Sequence, residues 1–166
     1  MESPAEQRRR HVAAILPVLD LKQGQVVHGI AGQRAQYEPV ASQLVASSDP
    51  QDVARALCDL VGVDDLYVAD LMALAGGDPE FDSLQAICNH GLRVWADAGV
   101  DLVEKAHRLL SAGVSRVIVA LESLNSFQDL TWIVQSVPSD KLVYSLDLKD
   151  GCPVVADASL NHWSAE

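Results

Sequence analysis

Two aspartates occur in nearly identical segments. Asp20 lies in "LDLKQGQVV", Leu19 to Val27, and Asp147 in "LDLKDGCPVV", Leu146 to Val155, so the two acids are 127 positions apart. Each ends an apolar run and is followed by a lysine, Lys22 or Lys149, and then a glycine. Paired carboxylates can divide general acid and general base work when their surroundings separate their pKa values. Asp70, Asp97 and Glu122 also close apolar runs. Taken singly, each of these acids reads as a helix cap or a solvated loop carboxylate, and only the repetition singles out Asp20 with Asp147. Lys22 and Lys149, in register behind them, would tune those carboxylates or touch a phosphate; solvated loop lysines are an equal reading.

The elements that must position these residues recur in one order. "AAILPVLDL" reads as a buried strand ending at Asp20, and "QVVHGIAG" as a short extended return after Gly24. In "SSDPQDVARALCDLVG", Asp49 is the expected cap, Pro50 the first turn and Gly62 the stop of a helix with Val53, Ala54, Leu57, Leu60 and Val61 as its apolar positions. "DDLYVADL" is a second strand ending at Asp70, followed by a loop "MALAGGDPEFDS" and a helix "LQAICNHG". "LRVWADAGV" with "DLVEKAHRLLSAGV", then "SRVIVALESL" with "FQDLTWIVQSV", supply two more strand and helix pairs, and "DKLVYSLDLKDG" the fifth strand. Apolar strands alternating with amphipathic helices imply a parallel sheet covered by helices.

Such a series fits an open doubly wound sheet or a (β/α)8 TIM barrel. The repeat spans four units, so strand one resembles strand five, as in an eight-unit barrel made of two similar halves; a chance match of two short segments is the competing account. In a closed barrel the catalytic groups lie at the C-terminal strand ends, and strands one and five face each other across the pocket. Asp20 and Asp147 would then be opposed.

The bulk composition narrows the class. The chain has 166 residues, 49% hydrophobic and 21% charged, with a formal net charge of −11. One globular domain fits these values, and so acidic a chain argues against nucleic acid as a partner. Arg8, Arg9 and Arg10 fall in an expected flexible tail, 1–12, ahead of a partial barrel domain over 13–166. Cys58, Cys88 and Cys152 share no metal spacing and read as small apolar residues of a reducing, cytoplasmic setting. No apolar run reaches membrane-spanning length, and no signal peptide is visible. Trp95 and Trp132 read as packing residues, and His90 and His107 as surface or boundary residues.

At the level of motifs, "ILPVLDLKQGQVV", "LYVADL", "SRVIVALESL" and "LVYSLDLKDG" resemble the first, second, fourth and fifth strands of the phosphoribosylformimino-aminoimidazole carboxamide ribotide isomerase family of histidine biosynthesis. The resemblance runs from about Ala14 to Gly151. It implies a (β/α)8 barrel of two similar halves and an Amadori rearrangement, in which a phosphorylated aminoaldose becomes an aminoketose. An aldose–ketose isomerase of this kind is an intramolecular oxidoreductase, with no metal or organic cofactor implied. The ring oxygen must be protonated to open the sugar, and carbon 2 must lose a proton. Matched motif by motif, Asp20 is the implied base, Asp147 the implied acid and Asp70 a supporting polar group, with Lys22, Lys149 and Gly99 as further substrate-binding positions.

Departures from the family pattern are equally specific. Its third strand is followed by three glycines, an apolar residue and arginine; here that stretch is "DAGVD", Asp97 to Asp101, with Gly99 alone retained. After the fourth strand "ALES" places Glu122 where glycine with serine or threonine is common, and His28 replaces an arginine after the first. Phosphate capture uses exposed N–H groups and positive potential, which Asp97, Asp101 and Glu122 oppose. A barrel of this type takes about 250 residues, so the expectation here is a truncated barrel with only five units and no strands six to eight. Its exposed edges point either to a fragment of a longer product or to self-association. Two alternatives therefore stand beside the isomerase: a paralogue with another phosphorylated substrate, for instance in one-carbon cofactor metabolism, and a catalytically inactive truncated barrel.

Overall fold

The computed structural model describes residues 15–30, 33 and 36–155; the expected tail over 1–12, with its three arginines, lies outside the described residues, as does the "SLNHWSAE" ending. Side-chain alternation sets the first strand. In β1, Val18–Lys22, Leu19 and Leu21 are buried on one face while Val18, Asp20 and Lys22 take the other. A two-residue turn leads to β2, Gln25–His28, which returns antiparallel, and β3, Glu38–Pro39, pairs with β2.

Helix α1, Pro50–Val61, has the expected boundaries: the Asp49 carboxylate accepts from Gln51 N–H, Pro50 opens the helix, and Gly62 closes it at φ 79°. Its buried stripe is Pro50, Val53, Ala54 and Cys58. Leu60, expected on that stripe, is 66% exposed instead, because it is two residues, about 200°, from Cys58 around the helix. Strand β4, Asp65–Asp70, runs straight into a short helix α2, Leu71–Leu74, inside the stretch expected to be loop. Asp70 is the cause: its Oδ1 accepts from Met72 and Ala73 N–H at 3.1 and 3.0 Å, which organises a helical turn. Helix α3, Phe81–Asn89, starts three residues before the expected "LQAICNHG".

The remaining parallel units are β5, Arg93–Asp97, with α4, Val103–Ser111, and β6, Arg116–Ala120, with α5, Phe127–Ser136. Ser126 caps α5 by accepting from Asp129 N–H and donating to Asp129 Oδ2 at 2.7 Å. Trp132 lies about 100° off the line of the buried Ile133 and is 51% exposed, so it is not the packing residue expected. The expected fifth strand divides. Leu142–Ser145 forms β7, and after Leu146 and Asp147 a separate hairpin follows, β8, Leu148–Lys149, with β9, Cys152–Pro153. Cys152 is exposed there, unlike Cys58, whose burial pushes its thiol up to about 11.

The main sheet has the order β3-β2-β1-β4-β5-β6-β7, with β1, β4, β5, β6 and β7 parallel. Among the described residues β7 pairs with β6 alone, so β1 and β7 do not meet. One sheet face packs on the helices: Leu19, Leu21, Leu66, Val68, Val94 and Val117 share a core with Leu84, Ile87, Leu109 and Ile133. Each fully buried leucine there contributes about 1.5–3 kcal/mol. The opposite face carries Asp20, Tyr67, Trp95, Asp97 and Arg116, and is far more polar. At its N-terminal end Asp65 accepts from Arg93 at 2.6 Å and from Trp95 Nε1 at 3.0 Å, and the Arg116 guanidinium stacks 4.3 Å over the Trp95 ring. No helix among the described residues is long and apolar enough to cross a membrane.

Candidate functional site

The two similar segments fold into the same local structure. Gln23 and Gly24 have φ of 53° and 75°; Asp150 and Gly151 have 54° and 79°. Both turns thus show the paired positive φ of a type I′ hairpin, which favours glycine at the second position. Registers also match: Asp20 faces Val27 and Lys22 faces Gln25, while Lys149 faces Cys152 and the Asp147 carbonyl accepts from Val154 N–H at 2.8 Å. Asp20 is half-buried and Asp147 exposed. Lys22 ends β1, half-buried, and Lys149 ends β8, exposed.

Sheet register places a third carboxylate beside Asp20. Asp20 pairs with Ala69, and Ala69 with Asp97, so these residues form one row on the polar face. Neighbouring strands are about 4.8 Å apart, which puts the two acids either side of a methyl group. Tyr67, two residues before Ala69, shares that face, and its hydroxyl donates to Asp97 Oδ2 at 2.6 Å. Burial first, then this bond and the charges of Asp97, Asp147 and Asp20, push the Tyr67 phenol far above its ordinary value. Asp20 Oδ2 and the Tyr37 hydroxyl each lie beside Gly29, where the chain leaves β2.

Asp70 stands one residue past Ala69 and so points to the other face. It is fully buried, with Oδ2 accepting from Glu80 N–H at 2.6 Å in addition to the two bonds that start α2. Burial raises its pKa, opposed by these three backbone donors. Glu80 in turn accepts from Gln23 and Gly24 N–H at 2.6 and 2.5 Å, so the loop after β4 clasps the first hairpin turn. Asp70 thus faces away from Asp20 and is linked through Glu80 to the first hairpin turn.

Gly99 adopts φ +60°, and a Cβ there would sit 2.9 Å from the Ala73 carbonyl oxygen, so only glycine lets this loop rest against α2. Its carbonyl accepts from Lys105 Nζ at 2.7 Å, and the same ammonium pairs with Asp101 Oδ1 at 2.9 Å. These residues line a cavity of about 470 Å³ with Gly76, Glu122, Ser123 and, after the second hairpin, Val154 and Val155. Among the described residues no group of three His, Cys, Asp or Glu side chains is placed to hold a metal ion.

Sequence reasoning missed Tyr67, Glu80 and Lys105. Alternation along "DDLYVADL" could have put Tyr67 on the face opposite Asp70, but its partner Asp97 depends on strand order. Glu80 gave no signal, since its bonds reach 56 and 57 positions back along the chain.

An uncharacterised protein of Methanocaldococcus jannaschii is 33% identical over 139 residues, 82% of this chain and 57% of its own length. A phosphoribosyl imidazole-4-carboxamide isomerase of Desulfitobacterium hafniense is 31% identical over 143 residues, 85% of this chain and 54% of its own. Its namesake in Natronomonas pharaonis is 29% identical over 144 residues, 86% and 56% of the two lengths. The chain thus spans about half the length of the curated relatives it matches. The family described as histidine biosynthesis protein matches residues 14–166, a span holding both aspartate segments and all five parallel strands, and the chain belongs to that family.

Proposed function

We propose that the chain forms the first five units of a (β/α)8 barrel isomerase carrying out an Amadori rearrangement, with Asp20 as base and Asp147 as acid. The observation that carries this reading is the pair of hairpins in equivalent register, which sets the two aspartates at the same position of the same local structure. Asp147, exposed beyond β7, protonates the ring oxygen and opens the phosphoribosyl aminoaldose; Asp20, half-buried, removes the proton from carbon 2. Lys22 and Lys149, each two residues on, face the substrate's phosphates. Gly99 shapes the loop that meets the substrate, and Asp70 supports it by holding the loop that clasps the first hairpin. Strands beyond β7, or a second copy of the chain, would pair along the outer edge of β7.

Expression in a histidine auxotroph lacking the isomerase tests the reading. Rescue is expected, and Asp20→Asn or Asp147→Asn is expected to lower turnover by about 10²–10⁴-fold. Rescue that survives both substitutions would sink it.

A second reading keeps the barrel and the acid–base pair and changes the phosphorylated substrate. It is favoured by the cavity after β5 and β6, where the Lys105 ammonium is already neutralised by Asp101 and bonded to the Gly99 carbonyl. A phosphate entering there would meet Glu122 without an uncompensated cation from Lys105. Failure to rescue, with the folded protein intact, selects this reading.

A further inference from the structure

We infer that the cavity after β5 and β6 binds an uncharged polyhydroxyl group, a sugar end without phosphate, and that Asp101 sets this choice by engaging Lys105. The inference rests on the second reading above, a changed substrate, and names what that substrate presents at this end.

Three polar groups of the lining have hydrogen-bonding capacity to spare. The Lys105 ammonium has three protons: one goes to the Gly99 carbonyl at 2.7 Å and one to Asp101 Oδ1 at 2.9 Å, which leaves a third. Among the described residues no hydrogen bond reaches Asp101 Oδ2 or the Ser123 hydroxyl. The Lys105 and Asp101 side chains are 20% and 30% exposed, so both stay within reach of a ligand. The cavity thus offers a donor, an acceptor and a hydroxyl that serves as either.

Ligand classes meet these groups differently. A phosphate brings acceptors alone; it would use Lys105 and Ser123 but lie against the Asp101 carboxylate, with Glu122 adding a second negative charge. An ammonium would lie against Lys105, which already compensates Asp101. A hydroxyl both donates and accepts, so adjacent hydroxyls of a sugar can donate to Asp101 and accept from Lys105 and Ser123 together. Leu74, Val154 and Val155 give the same cavity an apolar side for the sugar's C–H face. Its volume of about 470 Å³ suits a small-molecule site. Asp101 is the selecting residue, because it turns a cation that would hold phosphate into half of an ion pair.

Titration of the 166-residue chain with D-ribose and with inorganic phosphate, followed by the amide NMR shifts of Gly99, Lys105 and Ser123, tests this. In the wild type ribose is expected to shift these amides, and phosphate at the same concentration to leave them in place. Ser123→Ala, which breaks no hydrogen bond among the described residues, is expected to weaken ribose binding about threefold or more with an unchanged melting temperature. Asp101→Asn frees the ammonium and is expected to tighten phosphate binding about tenfold or more, a gain that Lys105→Met in the same chain should cancel. Phosphate shifts as large as those with ribose in the wild type, no ribose shift, or no phosphate gain in Asp101→Asn overturns the inference. Rescue of the auxotroph would sink the second reading without moving these shifts, so the two fail separately.

Discussion

The β1–β2 and β8–β9 hairpins share a turn, a register and most of their residues, yet they live in different surroundings. Leu21 is 0% exposed and its counterpart Leu148 is 54% exposed; Leu19 and Leu146 are 2% and 47%. The first hairpin has β4 along one side and Glu80 across its turn, while the second forms a two-stranded sheet of its own. Local sequence therefore sets the hairpin and its register, and neighbouring elements set its burial. For the acid–base pair the consequence is an asymmetry: Asp20 is half-buried within a seven-stranded sheet and Asp147 is solvated.

The sharpest way to break this comparison is to truncate the paired leucines. Leu21→Ala is expected to cost about 2–5 kcal/mol, because it empties part of a packed core. Leu148→Ala is expected to stay within about 0.5 kcal/mol, as befits an exposed site. Urea denaturation of both variants measures the difference. Equal losses would mean that the second hairpin is buried as deeply as the first.

A smaller effect isolates the clasp. Glu80→Ala removes the acceptors of Gln23 and Gly24 N–H, with an expected cost of about 1–2 kcal/mol. Hydrogen exchange gives the sharper view. In the wild type the Gln23 and Gly24 amides are expected to exchange more slowly than those of Asp150 and Gly151, and in Glu80→Ala the two pairs should converge. If the first turn keeps its protection, the clasp is not what orders it.

How much of this was legible beforehand follows from the range of each interaction. Signals carried by adjacent residues read correctly: the Asp49, Pro50 and Gly62 boundaries of α1 and the parallel order of alternating units; the second echoed segment was expected to end the fifth strand and instead forms a hairpin of its own. Signals that depend on which strand lies beside which were missed. Asp70 read as a supporting polar group at a strand end like that of Asp20, but a one-residue offset from Ala69 turns it to the opposite face. Asp97 read as an obstacle to phosphate, and only the register of β4 with β5 puts it against Tyr67. Leu60 and Trp132 looked like core by residue type, and helical geometry turned both outward.

The smallest expected effect concerns what holds the first hairpin's neighbour in place. Strand β4 begins at Asp65, whose carboxylate is held below the ordinary range chiefly by its hydrogen bonds with Arg93, helped by Trp95 Nε1. Because the folded pKa lies below the unfolded value near 3.8, this group contributes stability above that pH. The contribution is lost as pH falls through the lowered pKa. With side chains 33% and 55% exposed, Asp65 and Arg93 are screened by solvent, so less than about 1 kcal/mol is at stake. Comparing the wild type with Asp65→Asn at pH 6 and pH 2.5 reads it directly: the gap in stability present at pH 6 should narrow at pH 2.5. A gap of the same size at both values would show that Asp65 acts through shape and hydrogen bonding rather than charge.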